Sequence, residues 1–515
     1  MKNSIKEIVG KSFYQLLLVY SALILAISLN LFWKYTYHFE LFALIIAILG
    51  TFEIRRLNTK SIDKRLLYSL FILAIVLILL TRIIPYLDNN IPIGYDAGIY
   101  KYGIESFAKD FFNADSWVKG ALEPGFLYLT TLLKLLFNTQ TILISFFILC
   151  NILLGFSIYK AAKEYFNETS AIIALMLYSV SSIQYLVFTY LYYKNILGLS
   201  FMLFAFYFLK REDNLRFIIF GILTGIIHRP TFYLFGLSYL TYTIYDYNNI
   251  KQNIKNGISI LIFTAIFYIG FFKESILPLI KPVAESFISP GSSAGTFINF
   301  FTYQYSTLAY LAFSILGFFY LIQFNKFNIL TFYTGITAII VYFQLFFFNR
   351  FIIHLDIALI ILAGAGFNQI ITRKLGFLIT LILLFSAGFV TINHAISTNS
   401  LINQNELETI VHVSTLEKDA YIMTTNSIYS PWVLGYSTRK TIAPGLFNYN
   451  LHNKEEWTEF WTADNQTKLN EFMDKYEQPL YIFIGEQQKD NLKQFDNCML
   501  PVYEKESNVI YRYIC

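Results

Sequence analysis

The chain has 515 residues, of which 56% are hydrophobic and only 14% charged, with a mean hydropathy of +0.51. These values exclude an ordinary soluble domain and indicate a multispanning membrane protein. A net charge of +5 spread over short loops excludes a nucleic-acid footprint, and three cysteines are too few for a disulfide framework or a zinc site.

Apolar runs of about twenty residues, the length that crosses ~30 Å of hydrocarbon, fall near 13–33, 37–54, 67–87, 139–159 and 169–190. Others follow near 194–209, 215–228, 230–245, 257–277, 297–323, 329–348, 352–371 and 375–395. The abundance of Phe and Tyr suits lipid-facing helices with aromatic belts at both interfaces. No cleavable leader is expected, since Ser12 to Trp33 is long enough to span and lacks a small-residue cleavage site.

Lys2, Lys6 and Lys11 before the first run, and Arg55, Arg56, Lys60, Lys64 and Arg65 in the second loop, place those segments in the cytoplasm. Alternate crossings then keep Lys160/Lys163, Lys210/Arg211/Arg216, Lys251/Lys255, Lys326 and Arg373/Lys374 inside, provided that Pro124 to Phe137 does not cross. As a helix that segment would reach only ~21 Å, so a re-entrant or tilted helix is expected. The expected architecture is a polytopic all-α membrane domain of about thirteen helices over residues 1–395, N-terminus cytoplasmic. It puts Asp96, Tyr190 to Asn195, His228 to Pro230, Ser289 to Gly295 and Asn349–Arg350 on the outer face.

The external loop 88–123 opens with Ile93-Gly94-Tyr95-Asp96-Ala97-Gly98. From Ala97 to Phe112, apolar residues alternate with Lys101, Glu105, Lys109 and Asp110 at helical spacing. This suits an interfacial helix or a loop helix packed on the C-terminal domain. The external segment Ser289 to Thr296, small and glycine-rich, is a lid over the site or a surface linker.

After His394 the apolar runs stop, so residues 396–515 form a separate, small extracytoplasmic α/β domain. Ala420 to Thr424 and Leu480 to Gly485 read as buried strands, Lys454 to Trp461 and Thr467 to Tyr476 as helices, and Cys498 to Tyr503 with Asn508 to Ile514 as a closing hairpin. Centred on Glu506–Ser507, that hairpin brings Cys498 opposite Cys515, as a disulfide or as two thiols.

These residues resemble the GT-C superfamily of polyprenyl-phosphate-sugar-dependent glycosyltransferases, which includes protein O-mannosyltransferases, aminoarabinose transferases and oligosaccharyltransferases. Asp96 is similar to the family's catalytic Asp in the first large external loop. Leu122-Glu123-Pro124-Gly125-Phe126-Leu127-Tyr128-Leu129 resembles the acidic-or-His, Pro-Pro, Leu-Tyr signature, and Phe348-Asn349-Arg350-Phe351 a late Arg-aromatic motif. The small external domain with Tyr429-Ser430-Pro431-Trp432 and Ala443-Pro444-Gly445 completes the resemblance. Two spans precede the one leading to Asp96, where the families usually have one. Tyr192-Tyr193-Lys194-Asn195 stands where relatives often carry a second acidic residue.

The resemblance implies sugar transfer from a polyprenyl-phosphate donor to a protein, lipid or glycan acceptor at the outer face of a plasma membrane, with inversion. Asp96 is then the base for the acceptor or, on the plainer reading, the N-cap of the helix at Ala97. Glu123 stabilises a helix start or joins Asp96 in holding Mg²⁺ or Mn²⁺. With no metal, Lys194, Arg229 and Arg350 neutralise the donor phosphate; their alternative is to snorkel to the interface. His228 is a second base or a polar helix end. Tyr95 and Tyr193 line a sugar cavity or pack.

A transporter or flippase of lipid-linked saccharides is the competing class. Residues 1–200 and 200–395 share no repeated motif, and intramembrane acidic residues are scarce, Asp356 being the nearest case.

Overall fold

The computed structural model of the chain describes residues 2–31, 38–52, 63–111, 113–278, 298–325, 327–346, 348–424, 426–444, 447, 449–462, 466–488 and 498–515. The segment Ser289 to Thr296 lies outside them. Two compact units arise from these residues: Met1–Ile84 with Glu123–Phe126 and Phe147–Thr398, and Pro85–Leu122 with Leu127–Phe146 and Asn399–Cys515. Residues 88–122 of the loop that follows the third apolar run thus fall in the same unit as the C-terminal residues.

The first unit is helical. Among the described residues, seven helices are long and apolar enough to cross a membrane: Gly10–Ser28, Lys64–Tyr86, Thr139–Tyr165, Tyr247–Ser275, Phe300–Phe324, Phe348–Ile370 and Lys374–Ser397. The protein is therefore a multi-pass membrane protein. Glu168–Ser179 and Ser182–Thr189 make an eighth crossing if counted as one span bent by 51°. The expected total of about thirteen is not established, because the other apolar runs form shorter helices. His38–Thr51, Asn214–Ile227 and Ile329–Tyr342 have 14 residues each, about 21 Å of rise. Pro124–Lys134, with 11 residues, rises about 16 Å and is too short to cross.

Phe348–Ile370 is the axis of this unit and is buried throughout its apolar window. Lipid offers no hydrophobic drive for helix association, so close approach depends on small residues. The run Ala363-Gly364-Ala365-Gly366 supplies them, and Phe367 stacks on Phe313 of Phe300–Asn325 at 3.8 Å between centroids. Asp356 lies on the same axis and is fully buried. It accepts hydrogen bonds from Ser181 Oγ (3.1 Å), Gln184 Nε2 (2.7 Å) and the Tyr310 hydroxyl. Ser181 also caps Ser182–Thr189, so the carboxylate holds the broken span at its bend.

The second unit contains one five-stranded sheet: β1 (Tyr421–Thr424), β2 (Lys440–Ile442), β3 (Leu480–Ile484), β4 (Met499–Lys505) and β5 (Asn508–Tyr513), in the order β2-β1-β3-β5-β4. β1 pairs in parallel with β2 and β3, and β3, β5 and β4 are antiparallel. Trp457 and Phe460 from Lys454–Thr462, and Leu469, Phe472 and Met473 from Gln466–Met473, cover Ile482 and Tyr513 in a closed apolar cluster. Cys498 and Cys515 form a disulfide closing the hairpin. The expected strands, helices and hairpin all form. β2 and the helices Gln404–Val413 and Ser430–Ser437 are additional.

Candidate functional site

Glu123 lies just before the helix that begins at Pro124, where proline's fixed φ suits a first helical turn. Any Cβ on Gly125 would collide with the Ile226 side chain, so only glycine lets this helix start lie against Asn214–Ile227. The approach brings Glu123 beside the start of the next helix, Arg229–Tyr245. Glu123 Oε1 accepts from Arg229 Nε (3.2 Å) and from the Arg229 backbone N–H (3.4 Å), and Lys194 Nζ stands 2.7 Å from Oε2. Arg229 Nη1 also donates to the Ser275 carbonyl at 2.7 Å. Glu123 is 2% exposed, Lys194 15% and Arg229 14%.

Burial by itself would push the Glu123 carboxyl up. Lys194 and Arg229, with help from His228, outweigh that and hold it well below the usual carboxylate range. Arg350 bears on the same region, acting electrostatically on His228. Glu123 thus stands between two cations, Lys194 and Arg229, at these helix starts.

His228 is the N-cap of Arg229–Tyr245. Its Nδ1 accepts from the Thr231 N–H (3.4 Å) and lies 2.7 Å from Thr231 Oγ1, which is 3.3 Å from His354 Nε2. Of the two roles read for His228, the structure displays the polar helix end. Tyr193 is 1% exposed and packs between Phe126 and Phe147, with centroids at 5.3 and 4.9 Å. It is a core residue here, held in an aromatic stack.

Asp96 and Tyr95 belong to the second unit. Gly94 turns the chain with φ 99°, and Asp96 precedes Ala97–Lys109 with φ −78° and ψ 0°, without any side-chain capping hydrogen bond. Its backbone carbonyl accepts from Tyr100 at 2.9 Å. The helix therefore starts without using the carboxylate. Burial and the neighbouring Asp96 raise the Tyr95 hydroxyl pKa, keeping it protonated.

Of the two placements open for Ala97–Lys109, the structure takes the packed one, against Ser430–Ser437. A Cβ on Gly98 would collide with the Pro431 carbonyl, and one on Gly435 with the backbone of Gly98. Lys101 stands 4.8 Å from the Tyr436 ring centroid while pairing with Glu105 at 2.8 Å. Gly98→Ala is expected to cost about 1–3 kcal/mol by overpacking, offset in part by roughly 1 kcal/mol of helix propensity. A lower melting temperature of the full chain in detergent would show it, and an unchanged one would mean that the two helices do not meet at Gly98.

Residues 122–270 match the family model described as dolichyl-phosphate-mannose-protein mannosyltransferase. Among solved structures, AglB, the archaeal oligosaccharyltransferase from Archaeoglobus fulgidus in complex with an inhibitory peptide and a dolichol-phosphate, is similar with a TM-score of 0.60. Identity is 13% over 82% of this chain and 69% of that one. ArnT from Cupriavidus metallidurans bound to undecaprenyl phosphate is similar with a TM-score of 0.58 and 12% identity, over 88% of this chain and 98% of that one. The chain has the fold of the GT-C membrane glycosyltransferases. No curated protein sequence matches it.

The segment matched by the family model opens one residue before Glu123 and contains Lys194, His228 and Arg229. The structure thus gathers Glu123, Lys194, Arg229 and His228 into one cluster with Arg350 acting on it. Sequence reasoning missed Ser275, which contributes a backbone carbonyl and so leaves no residue-type signal. For Glu123 the sequence leaves two readings open, a helix-start stabiliser or a ligand with Asp96 of a divalent cation, and Lys194, Arg229 and Arg350 stand as the metal-free alternative. Both Glu123 oxygens are instead engaged by cations, and no three His, Cys, Asp or Glu side chains converge among the described residues. The donor set around Glu123 does not fit a metal.

Proposed function

We propose that the chain is a membrane glycosyltransferase that takes a sugar from a polyprenyl-phosphate carrier and passes it to an acceptor at the outer face, the N-terminus being cytoplasmic and the C-terminal domain external. The observation that carries this reading is the Lys194–Glu123–Arg229 cluster, two nearly buried cations on one carboxylate, with Arg350 acting electrostatically on the adjacent His228. Buried cations in excess of their carboxylate suit a phosphate better than they suit a neutral sugar.

The acceptor oxygen attacks the anomeric carbon as Asp96 takes its proton. The bond from that carbon to the phosphate oxygen breaks, and polyprenyl phosphate leaves with both bonding electrons. One displacement inverts the anomeric centre. The leaving phosphate gains a negative charge, and stabilising that charge is the task assigned to Lys194, Arg229 and Arg350. Glu123 holds the first two in place, so side chains of the chain itself, and no divalent metal at Glu123, supply the neutralising charge.

The test is release of polyprenyl phosphate from a panel of polyprenyl-phosphate sugars by purified protein, with EDTA or with Mn²⁺. Release of the phosphate from one donor, undiminished by EDTA, is expected. Loss of release in EDTA would return the neutralising role to a metal. If no donor is cleaved while labelled lipid crosses between leaflets of proteoliposomes, the flippase reading replaces this one.

A further inference from the structure

The helix Tyr193–Lys210 carries Lys194 of the cluster at its start, and its end opens onto a separate cavity. Lys194 and Lys210 are about 24 Å apart along the axis at 1.5 Å per residue. The cavity, of about 430 Å³, is lined by Tyr165, Lys210, Tyr242, Tyr245, Asp246 and Tyr247, among others. Three helices point their C-termini into it: Phe147–Tyr165, Tyr193–Lys210 and Arg229–Tyr245 each end on a lining residue. Helix C-termini carry partial negative charge. Two helices start at this cavity: Tyr247–Asn249, which leads into Ile250–Tyr268 and has Asp246 as its N-cap, and Ile329–Tyr342, whose first N–H groups are capped by Asn328.

Three negative helix ends, one carboxylate and four tyrosine rings make an environment for a cation, and an aromatic-lined one suits an ammonium. Asp246 already accepts from Tyr242 (3.2 Å), Asn249 and Asn253. Those donors are neutral, so its charge is not cancelled by them. Lys210 lies on the exposed side of the same cavity and supplies a positive group for an anion next to the ammonium. The rim also continues into apolar surface, since Leu240, Ile244 and Tyr245 on Arg229–Tyr245 are 58%, 66% and 46% exposed.

We propose that this cavity binds the head group of a phospholipid bearing a primary ammonium. The ammonium sits among the tyrosines and Asp246, the phosphate lies toward Lys210, and the acyl chains run along Leu240 and Ile244. This site stands apart from the Glu123 cluster and does not depend on the transfer reaction.

The test is native mass spectrometry of the full chain in detergent, titrated with phosphatidylethanolamine, phosphatidylglycerol and soluble O-phosphoethanolamine. Tighter binding of phosphatidylethanolamine than of phosphatidylglycerol is expected, weakened roughly two- to fivefold by Asp246→Asn or Tyr247→Ala, a loss of the size of one exposed ammonium–ring contact. Tyr247 is 71% exposed, so its replacement tests the site without threatening the fold. Equal binding of the two lipids, or phosphatidylethanolamine binding unchanged in Tyr247→Ala, would overturn the proposal. Saturation by O-phosphoethanolamine at the affinity of the lipid would also overturn it, assigning the site to a soluble amine.

Discussion

Asp96→Asn is expected to lower release of polyprenyl phosphate by roughly 10²–10⁴-fold, the range contributed by a positioned general base, with no change in melting temperature. Asparagine is as good an N-cap as aspartate, and the Asp96 side chain makes no capping hydrogen bond to Ala97–Lys109. The substitution therefore removes a proton acceptor and leaves the helix start intact. Single-turnover release measured beside a thermal melt separates the two effects. A variant that melts normally and still releases phosphate at the wild-type rate would remove Asp96 from the mechanism.

The second large effect is expected at Glu123. Glu123→Ala removes the carboxylate that pairs with the nearly buried Lys194 and Arg229, and removing one partner of a buried pair costs about 3–5 kcal/mol. The expected result is a strong fall in melting temperature. A second change, Lys194→Met in the Glu123→Ala background, is expected to recover part of it by removing one of the two cations. Both outcomes are read by thermal melts of the purified chain in detergent; no loss in Glu123→Ala would show that the ion pairs do not hold the cluster together.

The same carboxylate sets a pH dependence. Its pKa is lower in the folded chain than the ordinary value of 4.5, so it contributes stability in full above about that pH and loses it as pH falls toward the folded value. Wild-type stability is expected to decline on acidification below about pH 4.5, and Glu123→Gln is expected to show a shallower decline over that window.

The helical class of the membrane part and the short strands of the C-terminal residues followed from sequence alone, because a bilayer imposes length and apolarity on each crossing and a packed sheet imposes its own short strands. Every apolar run coincides with a helix, and β1, β3, the two C-terminal helices and the closing hairpin arise where their residues predicted them. The number of crossings was less legible. Length rules count helices, and several here are short or broken, with the break at 180–181 held by the Asp356 hydrogen bonds, which no periodicity reveals.

The site divides in the same manner. Residue type and order were enough to single out Asp96, Glu123, Lys194, Arg229, Arg350 and His228, since charged groups beside apolar runs are costly and therefore few. Only the tertiary structure determined how those charges are used. Glu123 spends its two oxygens on Lys194 and Arg229, and His228 spends Nδ1 on capping its helix. Tyr193 disappears into an aromatic stack, and the loop helix after Asp96 settles against Ser430–Ser437 through Gly98 and Gly435. Apart from the local His228 cap, those outcomes depend on residues some 45 to 340 positions apart meeting at distances of a few ångströms, and a sequence read alone supplies the groups without their partners.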